Sequence, residues 1–492
     1  MGYIYVIQRM TTWLGGILEV TSKVRYGLTS RGSPLYRFVP YDRRYSPLAV
    51  GCSTRDFTTN IHVVVEPSKQ GKPGQMNHGN LVKTLGSPTP ETEQEVLLLT
   101  YAYNSKKELR KEAMLDVVRE AYEVKAIGPE RYEVKDGFTF HIDPPKCVDV
   151  DDAFTFIKTP LGWKVMIHIT DVDYWIPYGT YIDTLAKQRS TSFYCPNGNA
   201  LAPMLPVMYS GKEASLLPGN KKPAFSLVFD WIPGKEIIDI RWMLTSVEVQ
   251  KSFTYESVIQ HINNDAIQAL RELAMELGGD FTDSHTWVQE LMIFYNEQAA
   301  TLLREHQRGI LRRHSAPKEG RLKEFALLQE KEFEHICMEA AEYCLATDEN
   351  VYHYGLNKSV YSYATSPLRR YADLTNQRIL KEILAKNNTI PNPTQCEIDD
   401  LNLRNKQAKA FSRDVFFMKM LNDTKNGSMK GYVLQVTDTK SKVWIPEWKR
   451  IISLDGVLEK KKWYGITWYK NMEIAGWKQR VVYSAVLLHG DS

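Results

Sequence analysis

The stretch His141-Ile-Asp-Pro-Pro-Lys-Cys-Val-Asp-Val-Asp-Asp152 places four carboxylates, Asp143, Asp149, Asp151 and Asp152, within ten residues. Free aspartate titrates near ~3.9, so all four are ionised at neutral pH unless the fold intervenes. Like charges at this density oppose one another and raise each other's pKa. A bound cation relieves that repulsion, and oxygen donors at short spacing suit Mg²⁺ or Mn²⁺ better than Zn²⁺. The competing explanations are an acidic surface turn and a purely structural Ca²⁺ loop. An EF-hand needs a central Gly and a terminal Glu in a twelve-residue loop, and this stretch has neither. The flanks constrain the fold further. Phe138–Ile142 and Ala153–Ile157 read as strands, with Pro144-Pro145 bending the chain between them. An acidic loop joining two strands, with a hard cation beside it, is the usual equipment for phosphoryl chemistry.

At 492 residues the chain exceeds one core, and two to four domains are expected. Lys+Arg number 62 against 58 Asp+Glu, so the net charge of +4 weakly favours an anionic partner without identifying one. Cys52, Cys147, Cys195, Cys337, Cys344 and Cys396 form no Cys-x-x-Cys pair, which favours reduced thiols over a zinc ribbon. The first residues carry no basic segment followed by a long apolar run. No stretch reaches the ~18 apolar residues of a membrane span. The expectation is an intracellular protein of cytoplasm or nucleus, neither secreted nor membrane-bound.

Apolar periodicity changes twice along the chain. Up to about residue 125, Gly16–Val20, Leu35–Val39 and Ile61–Val65 read as strands, with a turn at Arg31–Pro34 and a polar loop at Ser68–Gly74. A small barrel of OB or cold-shock type is expected, followed by a charged helix from Ser105 to Met114. From about 126 to 250 the pattern stays β, with strands at Trp163–Ile169 and Phe225–Trp231. From about 254 to 425 it turns helical, with helices expected at Val288–Arg304, Glu330–Leu345 and Arg369–Lys386. Beyond 426 short strands return at Gly431–Val436, Lys442–Pro446 and Arg480–Ser484, in a stretch rich in Lys and Trp that suits a second barrel.

Several strings resemble the ribonuclease II, or RNB, exoribonucleases. Asp143-Pro-Pro-Lys-Cys-Val-Asp-Val-Asp-Asp-Ala153 looks like the family signature, and its Pro-Pro and Cys-Val details are similar to the branch containing the catalytic subunit of the eukaryotic exosome. Val165–Val172, Tyr178–Asp183, Arg189–Tyr194, Pro203–Pro206, Ile310–His314 and Tyr363–Asp373 resemble later family blocks in the same order. The chain is thereby identified as a member of that family in a shortened form. The implied fold class is α+β. An RNB catalytic domain, a mixed sheet with surrounding helices, spans 126–425 and is flanked by small OB-type β-barrels, cold-shock-like at 1–125 and S1-like at 426–492.

The resemblance implies hydrolysis of single-stranded RNA from the 3′ end to nucleoside 5′-monophosphates, with two Mg²⁺ ions and Mn²⁺ as a substitute. It implies metal contacts for Asp143, Asp149, Asp151 and Asp152. Asp151 would hold the second ion or orient the attacking water, and Asp149 and Arg369 complete the catalytic set. Arg369, Arg370, Tyr371 and Tyr194 are the implied RNA contacts, with Tyr194 stacking on the terminal base and Arg370 an alternative ion-pair partner of Asp373. Pro367 is expected in the first turn of a helix. His168, His314 and His353 read as framework residues. The chain departs from the pattern at Ser412, where relatives have Glu, and at Gln377, where they have His. The stretches 255–296 and 313–353 are short; the first is where relatives carry an RNA-clamping aromatic, and Phe281 and Trp287 lie nearby but outside the family's local pattern, so a weakened clamp and longer terminal products are expected. A monomeric catalytic unit is expected, with no preceding endonuclease domain. A non-catalytic RNA-binding protein on the same fold is the alternative.

Overall fold

The computed structural model describes residues 13–487 apart from 43, 55, 57, 69–74, 104–129, 196–197, 318–337, 425 and 472–479. Its internal contacts form two compact units, residues 1–112 with 409–492, and residues 113–408. The expected charged helix at Ser105–Met114 and most of the polar loop at Ser68–Gly74 lie outside the described residues.

In the first unit, β1 (Leu14–Leu18), β2 (Leu35–Pro40), β3 (Leu48–Gly51), β4 (Ile61–Pro67) and β5 (His78–Gly86) close into a barrel in the order β1-β2-β3-β5-β4. A parallel pairing of β3 with β5, Ala49 opposite His78, completes the ring. Helix α1 (Pro90–Ala102) starts where Thr89 caps the backbone N–H of Thr92 and Pro90 supplies a first-turn residue that needs no donor. Gly15 lets α1 lie against β1, because a Cβ there would come within 2.3 Å of Val96.

The second unit is built on a seven-stranded sheet. It comprises β6 (Tyr132–Glu133), β7 (Phe138–Ile142), β8 (Asp152–Lys158), β9 (Trp163–Thr170), β12 (Lys222–Ile232), β13 (Glu236–Val247) and β14 (Lys251–Phe253), ordered β14-β7-β8-β9-β12-β13-β6. A hairpin of β10 (Phe193–Tyr194) and β11 (Ala200–Ala202) lies apart from it. One sheet face carries Phe140, Phe154, Phe156, Ile167 and Phe229, which share a core with α2 (Asp265–Glu276) and α3 (Ser284–Glu305). A polar row crosses β7, β8, β9, β12 and β13: Thr139 to Thr155 at 2.7 Å, Thr155 to His168 at 2.8 Å, His168 to Ser226 at 2.7 Å and Ser226 to Thr245 at 2.7 Å. Every group in the row is buried yet satisfied, and burial lowers the His168 pKa to about 3. His168 is a neutral framework residue, in line with its reading from the sequence.

Two local expectations are corrected here. Residues 330–337 of the expected helix Glu330–Leu345 are outside the described residues, and Glu342–Leu345 is not helical but strand β16, antiparallel to β15 (Ile310–Arg313). Its apolar run is too short for periodicity to separate helix from strand. Pro367 stands before α4 (Tyr371–Ala385), in a turn where Arg369 and Arg370 donate their N–H groups to Ser366 O. Helix α5 (Gln395–Asp423) then leads back to the first unit.

There β17 (Asn426–Val436), β18 (Lys440–Ile445), β19 (Arg450–Asp455), β20 (Trp463–Lys470) and β21 (Val481–Leu487) form a sheet in the order β19-β18-β17-β20-β21. Counted from its own first strand this is 3-2-1-4-5, the ring order of the N-terminal barrel opened between its third and fifth strands. Arg480 anchors β21 to α1 through Glu93 at 2.6 Å, and Glu93 is buried.

Candidate active site

The acidic loop is pinned at both ends and in the middle. Asp143 follows β7 and donates its backbone N–H to Phe253 O at 3.1 Å. Pro144 and Pro145 then turn the chain, Lys146 adopts φ +65°, and Cys147 N–H closes on Pro144 O. Ser215 straps the middle, donating to Val148 O at 2.7 Å and accepting from Val150 N–H at 3.0 Å. Val150 is buried beside Ala153 and Leu216, so the odd residues of Val148-Asp-Val-Asp-Asp152 face a different environment from Val150.

The four carboxylates meet four different surroundings. Asp143 accepts from His141 Nδ1 at 2.8 Å. Asp149 accepts from the Tyr194 hydroxyl, and Cys147 Sγ lies 3.6 Å from it. Asp151 is buried, yet both oxygens are engaged: Oδ1 by Leu368 N–H at 2.9 Å and Oδ2 by Arg369 Nε at 3.0 Å. Burial pushes the Asp151 pKa up to about 7 against the opposing pull of Arg369. Asp152 Oδ2 is buried with no hydrogen-bond partner. Burial, Asp143 and Asp151 together hold its carboxyl well above the usual range.

Arg369 faces this group from the turn before α4, and its side chain remains 47% exposed. Ser366 Oγ accepts from its Nη2 at 3.1 Å. Its backbone carbonyl accepts from Ser192 N–H at 3.0 Å, which ties the strand bearing Tyr194 to the arginine turn. The Tyr194 hydroxyl is held well above its ordinary pKa, first by burial, although Arg369 opposes the shift.

Arg370 and Tyr371, expected to touch RNA, are committed inside the fold instead. Arg370 pairs with Asp373 at 2.7 Å over the Tyr363 ring, while Tyr371 is buried and donates to Asp183 at 2.9 Å. A buried helix start needs partners for its side chains, and these two find theirs at Asp373 in the first turn and at Asp183, 188 residues away in sequence. Gln377 joins α4 to the sheet, donating to Thr170 O and accepting from Val172 N–H. Trp287 is a core residue whose Nε1 donates to Asp280 O at 3.0 Å. Phe281 lies under Arg271, with 3.4 Å between its ring centroid and the guanidinium. Neither is at the aspartate loop.

Two site residues were missed in the sequence. Tyr255 lies within electrostatic reach of Asp152, Asp143 and Arg369, and stacks on His285 with ring centroids 3.7 Å apart. No local signal marks it. His141 touches Asp143, and its signal was available: residues two apart on a strand share a face.

Among the described residues, no three His, Cys, Asp or Glu side chains gather into a group able to hold a metal ion alone. The four-carboxylate ligand set is therefore not assembled as expected, since Asp149 and Asp151 are taken up by Tyr194 and Arg369. What is left is Asp143 facing Asp152, with a buried anionic oxygen unmet. Mg²⁺ commonly keeps several waters and takes only one or two carboxylates plus substrate phosphates, so the pair fits a hydrated Mg²⁺.

The RNB domain profile matches residues 131–278 and 266–386, which hold the aspartate loop, Tyr194 and Arg369. The chain belongs to the RNB family. Its relatives include mouse "Exosome complex exonuclease RRP44", 24% identical over 89% of this chain and 55% of that protein. Another is "Ribonuclease R" of Helicobacter pylori, 26% identical over 60% of this chain and 57% of that protein. This RNB chain thus spans about half the length of the curated relatives it matches. Among solved structures, Mycoplasma genitalium RNase R in complex with ribose methylated single-stranded RNA superposes with a TM-score of 0.76 at 15% identity, covering 98% of this chain and 90% of that one. Yeast Ssd1, a pseudonuclease, gives 0.68 at 18%, covering 93% and 68%. The RNB fold therefore does not by itself decide activity, which depends on the side chains at the site.

Proposed function

We propose that this RNB protein is a divalent-metal-dependent hydrolytic exoribonuclease. It degrades single-stranded RNA from 3′ to 5′ and releases nucleoside 5′-monophosphates. The observation that carries the reading is the buried, unpartnered Asp152 oxygen facing Asp143. A protein with no use for a cation gains nothing by burying that repulsion.

Asp143 and Asp152 would hold Mg²⁺, or Mn²⁺ in its place, with Asp149 and Asp151 beside them. When bound, the metal supplies charge neutralisation at the phosphoryl oxygens and activation of water. Arg369 presents a guanidinium fixed through Nε by Asp151 and through Nη2 by Ser366 Oγ, and its remaining outer N–H groups would bind phosphate oxygens as negative charge develops. Asp151 acts here partly by aiming Arg369. Tyr194, tethered to Asp149 through its hydroxyl, presents a ring for the terminal base, and stacking of this kind tolerates any base.

The flanking barrels are read as RNA-binding modules, cold-shock-like before the catalytic region and S1-like after it, in a monomeric intracellular protein. Among the described residues, no helix is long and apolar enough to cross a membrane. The second reading, an RNA-binding protein without activity, draws on the likeness to a pseudonuclease. Incubation with 5′-labelled single-stranded RNA decides between them. Mg²⁺-dependent shortening to mononucleotides, abolished by EDTA, supports the enzyme. Binding without shortening, at any concentration of Mg²⁺ or Mn²⁺, supports the alternative.

A further inference from the structure

We infer that His141 is a positioning residue for the cation site, acting through Asp143, and that Ser252 sets the tautomer it needs. The inference rests on the proposed function, since it assigns a role at that same site. On β7, Phe138, Phe140 and Ile142 point to the apolar core, while Thr139 and His141 take the opposite face with the polar row. His141 is buried, at 3% exposure. Its Nδ1 lies 2.8 Å from Asp143 Oδ2 and its Nε2 lies 2.7 Å from Ser252 Oγ.

The second contact follows from strand register. The short strand β14 runs parallel to β7 with Ser252 directly beside His141, and the next residue, Phe253, accepts the Asp143 backbone N–H. One three-residue strand therefore fixes both the imidazole and the carboxylate it touches. In the neutral tautomer the inventory of donors assigns the proton. A carboxylate only accepts, so Nδ1 carries the hydrogen, and a neutral ring then offers Nε2 as an acceptor. Ser252 O–H donates into Nε2, and His141 Nδ1–H donates to Asp143 Oδ2. The chain Ser252, His141, Asp143 ends at the carboxylate facing Asp152.

A carboxylate held through one oxygen has its other oxygen aimed. That is what an outer-shell histidine does for a metal ligand, and loss of such a partner typically costs about 10–100-fold in metal affinity. The residue holds the ligand; it does not touch substrate. Removing it should weaken capture of the ion while leaving the fully loaded site nearly as fast.

The test uses the full chain and Mn²⁺ alone, without RNA, followed by the electron paramagnetic resonance signal of free Mn²⁺. His141→Leu should weaken Mn²⁺ binding about 10–100-fold and raise the Mg²⁺ needed for half-maximal hydrolysis by a similar factor, with the rate at saturating Mg²⁺ within about threefold of wild type. His141→Asn places an amide N–H where Nδ1–H stood, and should bind Mn²⁺ within about threefold of wild type. If His141→Leu does not fold, Ser252→Ala carries the test, since Ser252 is exposed and its loss leaves the tautomer unset; binding should weaken several-fold. The inference is overturned if His141→Leu, or Ser252→Ala in its stead, binds Mn²⁺ like wild type. Equal losses in His141→Leu and His141→Asn would also overturn it, because packing would then explain both. Asp152→Asn separates the two readings. If it abolishes Mn²⁺ binding while His141→Leu does not weaken it, the role of His141 alone fails. If the wild-type chain binds no Mn²⁺ and shows no Mg²⁺-dependent hydrolysis, the proposed function fails and this inference with it; if it hydrolyses RNA without measurable binding of Mn²⁺ alone, the half-maximal Mg²⁺ carries the test, and an unchanged value in His141→Leu overturns the inference.

Discussion

Asp149 and Asp151 occupy one half of the acidic loop's chemistry, Asp143 and Asp152 the other. The first two are met by the fold, Asp149 by the Tyr194 hydroxyl and Asp151 by Leu368 N–H and Arg369 Nε. In the second pair only Asp143 has a named donor, His141, while Asp152 keeps a buried oxygen unmet. Within four residues the same side chain is used in two ways. A satisfied carboxylate is a brace that fixes something else, here an arginine and a tyrosine. An unsatisfied buried one costs stability unless positive charge comes to it, which is the role the proposed function gives a cation.

The sharpest way to break this comparison is Asp151→Asn. An amide presents NH₂ to one of the two donors now meeting Asp151, whichever way it is turned. One of Leu368 N–H and Arg369 Nε is then left facing a donor. Hydrolysis should fall by several orders of magnitude while RNA binding stays largely intact, because the lost charge acts mainly in the transition state. Stability should fall as well, by about 1–3 kcal/mol. Single-turnover rates, gel shifts and urea melts read the three effects separately. Full activity would remove Asp151 from the catalytic set.

Asp152→Asn should have the opposite sign in stability. It deletes a charge that burial and Asp143 already disfavour, so the metal-free chain should be as stable as wild type or more so, while hydrolysis falls by about 10²–10³-fold. Mg²⁺ sharpens the contrast. A ligand at about 100 times its Kd stabilises the folded state by ~2.7 kcal/mol, so Mg²⁺ should raise the melting temperature of wild type and leave Asp152→Asn unmoved. A metal-dependent shift that survives in the variant would place the cation elsewhere.

Outside the loop, His168 is the counter-case to the buried Asp152 oxygen: it is fully buried, but hydrogen-bonded on both ring nitrogens. Its pKa is depressed from the ordinary histidine value to about 3 by burial, and His62 in the first unit to about 4 by burial and by Arg480. As pH falls below ~6.5 the unfolded chain takes up these protons before the folded one does. The stabilising contribution is therefore whole above that pH and is lost on acidification towards ~4. Each histidine contributes a slope of at most ~1.4 kcal/mol per pH unit. Urea midpoints across this window should decline, and His168→Gln should flatten the decline. An unchanged slope would mean that the polar row is already protonated.

How much of this was legible follows from how far apart the partners lie. The strands on either side of the loop could be read because alternation and aromatic content are local signals, and β7 and β8 stand where expected. A small barrel of OB type could be anticipated from the short strands near Gly16–Val20, Leu35–Val39 and Ile61–Val65, but not the parallel pairing of β3 with β5 that closes it. The division of labour among the aspartates could not, because Asp151 meets Leu368 and Arg369 more than 200 residues away, and His141 meets Ser252 across a strand pairing 111 residues distant. The family motif implies Arg370 and Tyr371 as RNA contacts, with an ion pair to Asp373 as the alternative for Arg370. The structure contains that ion pair and gives Tyr371 a partner in Asp183. A motif shows which residues go together, but not which of them faces the substrate.

The smallest effect concerns the aromatic grip on RNA. Losing one face of a stacking clamp costs roughly 1–3 kcal/mol, or about tenfold to a hundredfold in release rate. In the shortened 255–296 stretch Phe281 and Trp287 are the nearby aromatics, both outside the family's local pattern. Trp287 is sealed in the core, and Phe281 is occupied by Arg271. On the proposed function Tyr194, braced by Asp149 at the loop, is the stacking residue among the three. Tyr194→Ala should speed dissociation of short RNAs about tenfold and lengthen the terminal products, whereas Phe281→Ala should leave both within about twofold of wild type. Tyr194→Phe keeps the ring but drops the hydroxyl donor to Asp149, so it should retain most of the grip and lose rate instead. Product sizing on a sequencing gel, with the three variants side by side, separates ring from hydroxyl. Equal lengthening by Phe281→Ala would return that residue to the RNA path, and show that the contact with Arg271 opens when substrate arrives.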